Sequence, residues 1–280
     1  MTSVLPVTTS IKMISEEELT LDNIGRAGFV LYQQKKGFRL GMDSVLLAWF
    51  AASFARKDRD GNYRKTSFLE LGSGCGGASV CVAARLPDSV IDCCEIMTSS
   101  CEVLQKNIEA NNLTDRVSAY NCDIRQFPDE VRQKQYDIVF SNPPFFNGDR
   151  GNKTDPEASS DERLAARFEE NGTIEDFIKA SKSRVIPSTG HIIMVMKADR
   201  LTEIMSLMDT YNIRPVRLMS IHPLADRNAS SVLIAGKVGG TNSQLKILPP
   251  LILNETSDGS LRQTMRITEI YEGEHKDCFI

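Results

Sequence analysis

Residues 141–146 read SNPPFF and follow YDIVF, an apolar run with the pattern of a buried strand. Strands are more often left through Gly, Asp or Ser, which turn easily. An amide, two prolines and two phenylalanines suit one kind of chemistry. An exocyclic amine on a planar ring is a poor nucleophile, because its lone pair is conjugated into the ring. Two fixed acceptors aimed at its N–H bonds favour a tetrahedral nitrogen and stabilise the positive charge that develops during attack. The side-chain oxygen of Asn142 and the carbonyl of Pro143 fit that role. Pro143 and Pro144 stiffen the segment and preset those carbonyls. Phe145 offers a flat face for a planar group to stack on. The bland alternative is a proline-rich turn with Phe145 and Phe146 packed in the core.

A second constellation lies upstream. LELGSGCGG (69–77) has the pattern of a strand, a tight turn and the start of a helix, where backbone N–H groups can face a ligand. Gly72, Gly74 and Gly77 satisfy the dinucleotide spacing G-x-G-x-x-G. Gly72, Gly74 and Gly76 satisfy the G-x-G-x-G spacing of S-adenosylmethionine sites. Glu95 closes the next apolar run, 23 residues after Gly72, where a carboxylate can accept from two ribose hydroxyls in either cofactor. Two acids tilt the choice toward S-adenosyl-L-methionine. Glu70 stands two residues before the first glycine, placed to orient the turn and meet the cationic end of a methionine. Asp123 ends a third strand, suited to accepting from an adenine amino group. A glycine turn used only for close packing would not need these acids.

These residues require strands that end along one edge. From Ser67 onward strands alternate with helices: FLEL, ASVCVAARL, VIDCCE, SSCEVLQKNIEANNL, VSAYNCD, YDIVFSN, EDFIKASKSRVI, HIIMVMK and LTEIMSLMDTYN. That alternation predicts an α/β fold with a parallel, doubly wound sheet. VRLMSIHP and SVLIAGKV leave no room for a helix between them and predict an antiparallel hairpin. The expectation is a Rossmann-like, seven-stranded, mostly parallel sheet ending in that hairpin. Residues 1–50 are assigned to an N-terminal arm, a hairpin around KKG and the start of a cap helix, with Asp43 or Ser44 as its N-cap. Residues 1–24 show no clear core pattern. Residues 51–240 form the main domain, and 241–280 an extension packed on it. The long charged segment 148–170 lies beside the expected binding edge, where such loops often contact substrate.

Composition excludes some classes. No apolar run is long enough to span a bilayer, and the first residues lack the features of a signal peptide. The seven cysteines include no C-x-x-C pair and no histidine cluster near them, so reduced thiols in a cytoplasm are expected and no metal site. The net charge of −4 counts mildly against a nucleic-acid partner. Local basic stretches offset it. The candidates for phosphate contact are Lys35, Lys36, Arg39, Arg56, Lys57, Arg59, Arg150, Lys153, Arg163 and Arg167, all expected to border the edge that carries SNPPFF.

Asn-Pro-Pro followed by an aromatic resembles the motif of amino-group N-methyltransferases acting on adenine N6, guanine N2 or glutamine N5. With GFRLGMDSVLLAWFA before the fold and a charged loop after SNPPFF, residues 28–240 resemble one branch. These are the bacterial enzymes that methylate N6 of adenine 37 in the anticodon loop of tRNA1(Val). LRQTMRITEIY near the end is similar to that family's closing segment. The resemblance implies a class I methyltransferase fold and tRNA as partner. It implies Asp43, Glu70, Gly72, Gly74, Gly76, Glu95, Ile96, Asp123 and Asn142 around the cofactor, and Asn142 to Phe145 at the substrate. Glutamine N5-methyltransferases carry a helical N-terminal domain and usually Tyr after the prolines. Guanine N2-methyltransferases of rRNA usually have larger or duplicated chains. A non-catalytic module on the same fold would not need Gly72, Glu95, Asp123 and Asn142 intact.

Overall fold

The computed structural model describes residues 15–36, 39–144, 172–239, 244–257 and 259–272. β1 (Leu19–Asn23) and β2 (Val30–Gln34) form an antiparallel hairpin. Then come α1 (Met42–Ala52), β3 (Ser67–Leu71), α2 (Gly77–Arg85), β4 (Val90–Glu95), α3 (Thr98–Ala110) and β5 (Val117–Asn121). The short α4 (Asp129–Arg132), β6 (Ile138–Ser141), α5 (Ile174–Arg184), β7 (His191–Lys197), α6 (Leu201–Thr210), β8 (Ile213–His222) and β9 (Ser231–Val238) follow. β10 (Lys246–Ile247), β11 (Leu251–Ile252), β12 (Asn254–Ser257), β13 (Ser260–Gln263) and α7 (Met265–Glu272) come last.

The main sheet has the order β10-β8-β9-β7-β6-β3-β4-β5, with β11 also pairing β8. β3 to β7 run parallel, and β9 is antiparallel to both β7 and β8. This is the doubly wound α/β arrangement with an antiparallel end that the sequence predicts. Among the described residues the sheet has nine strands, two more than the expected seven. β10 and β11, two residues each, pair parallel to β8 and extend the edge. The central strands are buried on both faces, which explains their continuous apolar runs. One face packs on α1, α2, α3 and α7, through Leu46, Phe50, Val80, Leu104 and Ile267 among others. The opposite face packs on α5 and α6, through Phe177, Ile178, Ile204 and Met208. Cys93 and Cys94 contribute to opposite cores, as their alternation in β4 requires.

Three local expectations are corrected. The hairpin turn lies at 24–29 and not at KKG. The Asn23 side chain accepts the Gly25 N–H at 2.7 Å and starts the reversal there, so β1 falls within the stretch expected to lack a pattern. Gly41 caps α1, in place of Asp43 or Ser44. Both side chains have partners elsewhere: Asp43 meets Lys197 at 3.2 Å, and Ser44 meets Asn142 at 3.1 Å. Finally, α1 runs from Asn142, at the carboxyl edge, toward the amino edge, where Phe54 meets His191 at the start of β7. Arg56, Lys57 and Arg59 therefore leave α1 at the edge opposite SNPPFF.

The hairpin is fixed to the domain by two asparagines four residues apart, Asn107 in α3 and Asn111 capping its end. Val30 N–H donates to Asn111 Oδ1 at 2.8 Å, and Asn111 Nδ2 donates back to Val30 O at 2.8 Å. Tyr32 N–H donates to Asn107 Oδ1 at 2.6 Å, and Asn107 Nδ2 donates to Tyr32 O at 2.9 Å. The amides imitate a neighbouring strand and satisfy an edge that would otherwise be unpaired.

Candidate functional site

Sheet register brings the predicted residues to one place. Leu71 pairs with Cys94 on one side and Ser141 on the other. The next residue of each strand is Gly72, Glu95 and Asn142, so all three leave the sheet at one level. β3 has β4 on one side and β6 on the other, which makes this the point where strand order reverses. Crevices at such carboxyl edges are where α/β sheets bind ligands.

The glycine turn is held by backbone and carboxylate. Gly72 N–H and Ser73 N–H donate to Cys94 O at 2.9 and 3.1 Å. Gly74 N–H donates to Glu95 Oε2 at 2.7 Å, and Met97 N–H donates to Glu95 Oε1 at 2.8 Å. Gly76 is the left-handed N-cap of α2 (φ 80°), and a Cβ there would run into Leu104. Gly74 is also left-handed (φ 56°), but a Cβ there would meet nothing within 4 Å. Gly76 is thus demanded by packing, while Gly74 borders open space. Asn107 Nδ2 donates to Cys75 O at 2.9 Å, tying the turn to α3 and the hairpin.

Three acids surround this turn. Glu70 is buried and accepts from Ser79 N–H at 3.0 Å and from the Ser79 hydroxyl. Burial pushes its carboxyl up to about 8, against the lowering effect of those bonds. Its contacts orient the start of α2. Glu95 is also buried, and burial raises its carboxyl despite the backbone donors. Asn121 Nδ2 donates to the carbonyls of Glu95 and Ile96 at 2.8 and 3.1 Å, which places Ile96 at the same strand end. Asp123 is paired with Arg125, whose Nη2 lies 2.6 Å from Oδ2. That bond holds its carboxyl below the usual range.

The other side of the crevice differs. Asn142 Nδ2 donates to Ser44 Oγ at 3.1 Å. Its Oδ1 is buried and has no hydrogen-bond partner among the described residues. A buried acceptor without a partner carries a cost of about 1–3 kcal/mol, so it points to a donor that arrives from outside. Pro143 is buried and Pro144 partly so. Asp43 and Lys197 form their ion pair beside Ser44, with Lys197 at the end of β7.

Phe145, Phe146, Arg150, Lys153, Arg163 and Arg167 lie outside the described residues. Lys36 is exposed, and Arg39 donates to Asp22 at 2.9 Å and Thr20 at 3.0 Å, bracing the hairpin. Leu40 packs against Gly77, so this segment borders the edge with the glycine turn. Sequence reasoning missed the roles of Ser44, Lys197, Asn107 and Asn111. Two amides four residues apart in an amphipathic helix were a readable signal for a buried polar clamp. Nothing in the sequence marked Ser44 as a partner of a residue 98 positions away. Among the described residues there is no group of three His, Cys, Asp or Glu side chains placed to hold a metal, and no helix is long and apolar enough to cross a membrane.

Residues 54–158 match the model of the methyltransferase small domain. The chain is 24% identical to the tRNA1(Val) (adenine(37)-N6)-methyltransferase of Flavobacterium johnsoniae, covering 69% of this chain and 75% of that one. It is 27% identical to the protein of the same name from Porphyromonas gingivalis, over 73% of this chain and 76% of that one. A solved structure of a predicted O-methyltransferase from Agrobacterium tumefaciens superposes with a TM-score of 0.59 at 19% identity, over 81% of this chain and 95% of that one. The fold is that of the class I, Rossmann-like methyltransferases.

Proposed function

We propose that this chain, which carries a methyltransferase small domain on a class I fold, methylates an exocyclic amine of an RNA base using S-adenosyl-L-methionine. The relatives' name supports N6 of adenine 37 in tRNA1(Val) as the target. The observation that carries the reading is Asn142 Oδ1, buried at the strand end beside the glycine turn and without a hydrogen-bond partner among the described residues.

The residues around the turn fit the cofactor. Gly74 leaves open space where a side chain would intrude. Glu95 presents a buried carboxylate at the second strand end, whose remaining lone pairs can accept from ribose hydroxyls. Asp123 is assigned to the adenine amino group, in competition with Arg125. Asp43, Glu70 and Ile96 line the same edge. When bound, the cofactor supplies an electrophilic methyl group.

Ser44 fixes the Asn142 amide so that its oxygen faces away from the hydroxyl. That oxygen accepts an N–H of the target amine and draws its lone pair out of conjugation. The same oxygen would stabilise the positive charge that develops on nitrogen as it takes the methyl group from the cofactor's sulfonium, whose S–C bond breaks, and the extra proton would then pass to water. The rigidity of Pro143 and Pro144 means that no reorganisation is needed at that moment. Phe145 is assigned the stacking face from its place in the sequence. The test is incubation with methyl-labelled cofactor and tRNA from a strain lacking this gene. Label in N6-methyladenosine at position 37 is expected. Label in guanosine or in protein would overturn the assignment.

A further inference from the structure

The amino edge of the sheet, which methyl transfer leaves unused, carries a cluster of cations without ion-pair partners among the described residues. Phe54 follows α1 there, with its ring 4.6 Å from that of His191, and the Arg217 guanidinium lies 4.6 Å over Phe54. Ile192 pairs with Gly236, which sets Lys237 beside His191. Arg217 pairs with Lys246 of β10. Arg56 is two residues past Phe54. Burial, with Lys237, Arg217 and Arg56, drives the His191 imidazole down to about 3, and no carboxylate offsets them.

Arg56, Arg217, Lys237 and Lys246 have no salt-bridge partner among the described residues. Arg56 and Lys246 are exposed, and the other two half-buried. The nearby Asp58 turns its carboxylate onto its own loop, accepting from the N–H groups of Asp60 and Asn62. In a chain of net charge −4, four such cations on one face form a local field that repels itself and attracts polyanions. The half-buried aromatic pair and the stacked guanidinium are suited to sugar and phosphate.

We propose that this face binds the phosphate backbone of the substrate RNA at a segment remote from the target base. β7 spans seven residues between the two edges, about 23 Å at the usual rise per residue. A single nucleotide cannot reach both, and a folded RNA can. The inference rests on the reading of the chain as an RNA methyltransferase.

The test is the triple variant Arg56→Gln, Lys237→Gln, Lys246→Gln, with Arg217 kept because its stacking packs the edge. Binding is measured across a salt series for whole tRNA and for a short single-stranded oligonucleotide containing only the target loop. For tRNA, affinity at moderate salt should fall at least about tenfold. The log–log salt slope should lose about 2, at about 0.7–0.9 for each phosphate contact removed. The oligonucleotide should bind as before. The double variant Arg56→Glu, Lys246→Glu changes only exposed side chains and should act the same way if the triple variant proves unstable. Unchanged tRNA affinity, or equal loss on both RNAs, overturns the surface. Methyl transfer to tRNA with unchanged binding would remove the surface and leave the proposed function. Charge-dependent tRNA binding by a protein that transfers no methyl group would do the reverse.

Discussion

The two walls of the crevice are built on different principles. On the glycine-turn side, the polar groups are already paired: Glu95 with Gly74 and Met97, Glu70 with Ser79, Asp123 with Arg125. On the other side, among the described residues, Asn142 is paired at its nitrogen only, and its oxygen is left without a partner. A site that holds a long ligand through many contacts can be prebuilt from internal bonds, each adding little on its own. A site that must recognise charge at one developing bond leaves its key acceptor free until the substrate supplies the donor. The first wall should therefore show its defects in binding and the second in turnover.

The largest expected effect lies on the second wall. Asn142→Ala should cut single-turnover methylation by about 10²–10³-fold, the scale for losing one preorganised transition-state partner. Cofactor affinity should stay near that of the wild type. A wild-type rate would make the motif a rigid turn and move amine activation elsewhere. Next comes the first wall. Glu95→Ala should weaken cofactor binding by about 1.5–3 kcal/mol, the range for hydrogen bonds to a charged group. Calorimetry is the check. A variant that binds normally but turns over slowly would erase the distinction between the walls.

The sequence reveals much of the first wall and little of the second. The glycine spacing, Glu95 and Asp123 are local patterns tied to strand ends, and the helix–strand alternation fixes where those ends lie. Backbone register then does the rest, since Gly72, Glu95 and Asn142 each follow one rung of paired residues. What was not legible depends on contacts between distant segments. Ser44 meets Asn142 only because α1 crosses the sheet from one edge to the other. For the same reason Arg56, Lys57 and Arg59 were expected on the wrong edge: an 11-residue helix separates them from Asp43. Asp43 as an N-cap followed local statistics, which lost to a cross-chain lysine.

Ser44 sharpens the comparison. Ser44→Ala removes the partner that the Asn142 amide nitrogen has among the described residues. The amide can then rotate, and its oxygen is no longer held toward the target. Turnover should fall about tenfold, the rate equivalent of a neutral hydrogen bond worth about 1–1.5 kcal/mol. Cofactor affinity should not change, and Ser44→Thr should restore most of the rate because it keeps the hydroxyl. Equal losses in both substitutions would indicate a packing defect in α1 and remove Ser44 from the positioning role.

The effect smallest on turnover concerns how tightly the first wall is closed, and it is read in stability. Glu70 is buried with its carboxyl pushed up to about 8, against an ordinary value of 4.5. Between those values the folded state keeps a proton that the unfolded chain has lost. The unfolded state binds fewer protons, so stability falls as pH rises through this window. The contribution is complete below about 4.5 and lost above about 8, with a slope of at most about 1.4 kcal/mol per pH unit. Glu70→Gln keeps the size and an acceptor for Ser79 but removes the titration. Denaturant unfolding of both proteins across the window should show the wild type losing stability relative to the variant as pH rises. Parallel curves would mean that Glu70 is ionised in the native state, held as an anion by the Ser79 N–H at the start of α2. The glycine-turn wall would then present a fixed negative charge next to the cofactor. Its task would include attracting a cation as well as shaping the turn.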